Sequence, residues 1–132
     1  MNQIKENKIY YNDSLSSVPS SGTAIKIVNG RSAVHSVIVS FLGPSSSGLA
    51  ETRAYNLCGS DDINDVLFKF VLISTMNHRY ASSASYFNTG GNGILFENGI
   101  YLSKDATSPS GNTPVVDAIL SLSVIYTGGD NA

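Results

Sequence analysis

The strongest constraint on this 132-residue chain is its punctuation. Short apolar runs, rich in β-branched and aromatic side chains, are each cut by a cluster of Gly, Pro, Asn or Ser. Val66-Leu-Phe-Lys-Phe-Val-Leu-Ile73 follows the polar break Gly59-Ser-Asp-Asp-Ile-Asn-Asp65. As a strand it turns Val66, Phe68, Phe70 and Leu72 one way and Leu67, Lys69, Val71 and Ile73 the other. Periodicity alone does not separate a strand from a short buried helix, but the β-branched and aromatic content favours strand. Ser36–Phe41 alternates more plainly, with Val37, Val39 and Phe41 on one face and Ser36, Ile38 and Ser40 on the other. His35 falls in phase with Val37 and reads as a hydrogen-bonded packing residue at the end of that apolar face.

The same pattern recurs along the chain. Ala24-Ile-Lys-Ile-Val28 is a short strand, and Asn29-Gly30 after it is a strong hairpin signal because both residues tolerate positive φ. Arg53–Cys58 is a strand with Arg53, Tyr55 and Leu57 on one face. Residues 74–92 carry no clear period and read as a long excursion loop or a helical turn. In Gly93-Ile-Leu-Phe-Glu-Asn-Gly-Ile-Tyr-Leu-Ser103, two apolar runs flank Asn98-Gly99. The local reading is a turn between strands, with Ile94, Phe96, Ile100 and Leu102 as core contacts. In the last run Leu120, Leu122, Val124 and Tyr126 alternate with Ile119, Ser121, Ser123 and Ile125, and residues 127–132 read as a polar tail. The tally is six to eight short strands without a convincing amphipathic helix. That predicts an all-β fold, an antiparallel, jelly-roll-like β-sandwich over residues 22–132 with one wet face.

Residues 1–21 are set apart by their Asn, Lys and Ser content and end in a turn-forming cluster. Two readings stand: a floppy terminus, or an arm that docks on a neighbour through Ile9, Tyr10 and Tyr11. The polar start of the chain has no apolar stretch of signal-peptide length, and no run approaches the roughly 20 residues needed to span a bilayer. Cys58 is the single cysteine, so no intrachain disulfide forms, which fits synthesis in a reducing cytoplasm. Formal net charge is −2, and the eight basic residues are scattered. This argues against nucleic-acid partners and against attachment to an anionic membrane.

No catalytic pattern emerges. The serines lie in no G-x-S-x-G elbow. His78, beside Arg79 and Tyr80 in the unpatterned segment, is the better placed histidine but reads as a surface or partner-contacting residue. One Cys and two distant His make no zinc spacing. The acidic run Asp61-Asp62-Ile63-Asn64-Asp65 fails as an EF-hand, because Ile63, Val66 and Leu72 occupy positions that need oxygen ligands or glycine. The chain is therefore expected to be no enzyme, with no cofactor and no metal.

Gly93–Ser103, followed by a last strand ending Val124-Ile-Tyr126, resembles small β-sandwich virion proteins of tailed phages, in which a G-x-x-F-x-x-G-[LI]-Y-[LV] segment precedes a V-x-Y strand. Ile25–Val28, the glycine after it, Val34–Phe41 and Tyr55–Cys58 match the earlier elements of that pattern. The resemblance covers roughly residues 24–127; the 1–21 segment and residues 74–92 depart from it. It implies a decoration (cement) protein on the outside of an icosahedral phage head. Its partners would be the major capsid protein lattice and other copies of this chain, with a homotrimer among the arrangements left open. Ile9, Tyr10, Tyr11, His78, Arg79 and Tyr80 are the expected contacts. The alternative is a carbohydrate- or receptor-binding module of a tail or fibre, using Tyr80, Tyr86 and Tyr101.

Overall fold

The computed structural model describes residues 6–13, 17–42, 51–74, 82–105 and 119–132. Eight strands account for most of them: β1 (Lys8–Asn12), β2 (Ile25–Leu42), β3 (Glu51–Cys58), β4 (Val66–Ser74), β5 (Ser82–Asn88), β6 (Ile94–Phe96), β7 (Gly99–Lys104) and β8 (Ile119–Asn131). All pairings are antiparallel, in the order β1-β8-β2-β7-β3-β4, with β5 and β6 also on β2. The all-β antiparallel expectation holds. By hydrogen bonding the described strands make one sheet, and its layers come from curling: Phe70 on β4 meets Phe87 on β5 at 5.5 Å between ring centres.

β2 organises the sheet. It is 18 residues long, because Asn29-Gly30 does not reverse the chain as expected. Gly30 has φ of 85°, and the register with β8 shifts between Asn29 and Ser32. An Asn-Gly step suits a bulge as well as a turn, since both need a residue at positive φ. β8 runs along one edge of β2, from Val28↔Asn131 to Phe41↔Ile119. The expected polar tail is thus the end of that strand.

Along the other edge lie β7 (Ile25–Asn29), β6 (Ser32–Val34) and β5 (Ser36–Leu42), end to end. Residues 93–103 are therefore not a hairpin. Ser32↔Phe96 and Asn29↔Gly99 keep one register, and the chain runs straight past Glu97-Asn98. Asn98-Gly99 interrupts the ladder without turning it. Gly99 (φ 113°) is required there, since a Cβ would lie 2.5 Å from the Val28 carbonyl oxygen. Within residues 74–92, Ser82–Asn88 proves to be strand β5.

A second register shift in β2, between Val34 and Ser36, changes the phase of burial. Val34, Val37 and Val39 are all fully buried, while His35 is half-buried at the irregularity rather than in line with Val37. His35 still finds a partner, with Nε2 2.9 Å from the Thr127 hydroxyl. On its other side the Thr89 hydroxyl donates to the Val34 and His35 carbonyls at 2.7 and 3.0 Å. The core is filled by Val28, Val34, Val37, Val39, Tyr55, Leu57, Phe70, Phe96, Ile100, Leu102, Leu122, Val124 and Tyr126. The alternation read from β3, β4, β7 and β8 is the one that buries these residues.

Gly99→Ala is expected to cost about 3 kcal/mol in urea unfolding, from backbone strain and the clash with Val28. Gly90→Ala also sits at positive φ but has nothing within 4 Å. It should cost only the about 1–2 kcal/mol of left-handed backbone.

Candidate functional site

Alternation along β1, β8, β2 and β5 that seats Tyr10, Val124, Val37 and Phe87 inward must turn their neighbours out. One cross-strand row on the outer face runs Tyr11–Ser123–Ile38–Tyr86, each residue paired with the next. Tyr11 is 59% exposed and Tyr86 62% exposed. Three strand spacings place the two rings' strands about 14 Å apart. Between them lies a low floor of half-buried Ser123 and Ile38. Ile9, 55% exposed, extends the face through its partner Ile125, and Ser121 pairs with Ser40 on the far side of the row. None of these residues is charged. The result is a neutral platform with two aromatic rims.

The expected arm residues divide by the same alternation. Residues 8–12 are an edge strand on β8 rather than a detached arm. Tyr10 is half-buried against the chain's own core and its hydroxyl accepts from Asn12 Nδ2 at 2.9 Å, so it presents less of its ring outward than Tyr11 does. Ile9 and Tyr11 remain available. Val18, also assigned to the arm, is buried in the core, and the Pro19 carbonyl accepts from the Lys104 amide at 2.9 Å. His78, Arg79 and Tyr80 lie outside the described residues. Of the tyrosines considered for sugar binding, Tyr86 is open, whereas Tyr101 is half-buried with the Lys26 ammonium 5.5 Å from its ring centre.

Beside the platform, Glu6, Lys8, Arg31, Ala33, Leu95 and Thr127 line an open groove of about 600 Å³. Its cations are committed. Lys8 Nζ lies 2.7 Å from Asp130, and Arg31 Nε lies 3.2 Å from Glu97, directly across the sheet. The bond to Asp130 holds the Lys8 pKa above its usual value. Such exposed pairs add little stability. Both cations lining the groove are therefore already paired with carboxylates of the chain itself.

On the opposite flank, residues 54–58 of β3 are buried on both faces. Asn56 and Cys58 point away from Tyr55 and Leu57 toward Ser103 and the 59–65 loop, in which Asp62 Oδ1 accepts from the Asn64 amide at 2.9 Å. This is the acidic run tested above for calcium, and its carboxylate is used to close a turn. Among the described residues no group of three or more His, Cys, Asp or Glu could hold a metal ion. No described helix is long and apolar enough to cross a membrane. A scan against protein-family models gives no match, and neither does a search of curated proteins.

Burial pushes the Cys58 thiol above its ordinary value of 9.0; a hydrogen bond from Ser103 opposes this, while Asp65 and Asp62 add to it. The folded chain thus holds the proton that the unfolded chain releases. This contribution is intact below pH 9.0 and is lost as pH rises from 9.0 toward the folded value. Urea midpoints are expected to fall above pH 9.0 more steeply for the wild type than for Cys58→Ala. Iodoacetamide should label the native thiol only at the rate of unfolding.

Proposed function

We propose that the chain is a non-enzymatic virion structural protein, a decoration protein that binds the outer surface of a phage head through its outer sheet face. The observation that carries the reading is the neutral platform with Ile9, Tyr11 and Tyr86 exposed on it. Large exposed side chains grouped on one face mark a contact surface. Tyrosine suits such a surface, since it brings a wide ring and a polar tip at low entropic cost. The resemblance of residues 24–127 to phage virion proteins supplies the kind of partner.

Size then sets the mode of binding. From strand spacing and rise, the platform spans on the order of 300 Å². A stable pairwise interface needs about 800 Å² on each side. One platform therefore binds weakly, and useful occupancy comes from many copies on a repeating lattice, where effective concentration replaces single-site affinity.

Tail or fibre saccharide binding is favoured by one observation, the open Tyr86 ring across from Tyr11. A glycan array probed with the isolated chain tests it, and specific retention on the array would favour this reading over the lattice.

Tyr11→Ser with Tyr86→Ser should leave folding stability within about 0.5 kcal/mol, because both residues are exposed. Occupancy of the double variant on undecorated heads, read by electron microscopy and gel densitometry, is expected to fall about tenfold or more. Unchanged occupancy would remove the platform as the binding surface.

A further inference from the structure

The β3–β4 flank contains three groups that the proposed binding role does not use. Asn56 on β3 and Lys69 on β4 are directly paired across the two strands, on the face away from the core. Asp105, just after β7, is fixed by its amide, which donates to the Ala54 carbonyl at 3.0 Å. Its carboxylate bridges the pair: Asn56 Nδ2 donates to Oδ1 at 3.1 Å and Lys69 Nζ to Oδ2 at 3.4 Å. Asn56 is only 3% exposed, yet its side-chain oxygen has no hydrogen-bond partner. Leaving a buried carbonyl unpaired is costly, and a fold that needed only packing there would not require an amide.

We propose that these residues form an intramolecular isopeptide bond between Lys69 Nζ and Asn56 Cγ, with Asp105 as the proton carrier. An amine and a carboxamide on paired residues, both bound to one carboxylate, are the complete set for this reaction, which needs no oxidant, metal or co-reactant. The Lys69 ammonium first passes a proton to Asp105, leaving a free lone pair on Nζ. Rotating the Asn56 carboxamide by half a turn then points its oxygen at the Asp105 acid and the Ser103 hydroxyl, which lies 3.4 Å from the amide nitrogen. Both polarise Cγ toward attack. Nζ bonds to Cγ and gives one proton to Nδ2. The Cγ–Nδ2 bond breaks, and Nδ2 leaves as ammonia. The ammonia takes the proton held by Asp105 and departs as ammonium, which restores the carboxylate.

Strand pairing supplies the proximity that makes such a slow acyl transfer feasible, because attacker and target are held side by side rather than meeting by diffusion. The product is a covalent clip between β3 and β4, the last strand in the order of the sheet. Terminal strands are the weakly held parts of a sheet, and a clip there guards against fraying.

Intact-mass measurement of the denatured full chain, allowing for the initiator methionine, tests this directly. The expected mass falls short of the sequence by one ammonia, and digestion yields a branched peptide joined through Asn56 and Lys69. Cyclisation at Asn29-Gly30, Asn92-Gly93 or Asn98-Gly99 would lose ammonia too, so the variants must discriminate. Lys69→Arg keeps the charge beside Asp105 and is expected to restore the full mass, as is Asp105→Ala. A wild-type mass equal to the sequence overturns the proposal, as does a loss that persists in Lys69→Arg or the absence of the branched peptide. A loss that survives Asp105→Ala overturns the role of Asp105.

Discussion

The backbone pairing of β2 on both its edges is the interaction on which the rest of this structure depends. β8 satisfies one row of its amides and carbonyls, and β7, β6 and β5 satisfy the other in turn. A strand paired on both sides can be long without leaving buried polar backbone unmet. Every other register is defined against it. β7 carries β3, and β3 carries β4; on the other side β8 carries β1. The bulges at Asn29/Ser32 and Val34/Ser36 bend this spine and reset which residues point inward. They let Val28, Val34, Val37 and Val39 all reach one core, although no single alternation links them. Curling brings Phe70 onto Phe87, while the β3–β4 pairing stacks Phe70 on its cross-strand partner Tyr55, 5.8 Å apart.

The two sides of this curled sheet have different characters. The inner side holds a core that is almost wholly apolar. The outer side over β1, β8, β2 and β5 is a neutral floor of serine and isoleucine between two tyrosines. A charged face would steer a partner from a distance and weaken with salt, whereas a neutral one relies on contact area and repetition. That is why a surface too small for a strong pairwise complex suits a lattice of identical positions.

Much of the packing was legible in the sequence, because burial in a strand is written in steps of two. Phe70, Leu57, Ile100, Leu102, Leu122, Val124 and Tyr126 all lie where alternation put them. Continuity was not legible. Asn29-Gly30 and Asn98-Gly99 carry the conformational freedom of hairpin turns, yet the chain continues past both without reversing, because a bulge or a break in the ladder accepts the same φ as a turn. His35 was misphased for a related reason: a register shift inverts the pattern at one residue, and nothing local marks it. Tyr10 and Tyr11 could be singled out but not told apart until the pairing of β1 with β8 decided which faced the core. Asn56, Lys69 and Asp105 gave no signal, since three separate segments meet only through two strand pairings.

Hydrogen exchange resolved by residue tests the spine most directly. Amides from Ile27 through Val39 are expected to exchange together as one slow unit with those of Leu102, Leu122 and Val124, and with slowed exchange on both sides of Gly30. If the amides before Gly30 exchanged fast and independently of those after Arg31, β2 would be two strands around a turn, and the account of the sheet built on it would be wrong.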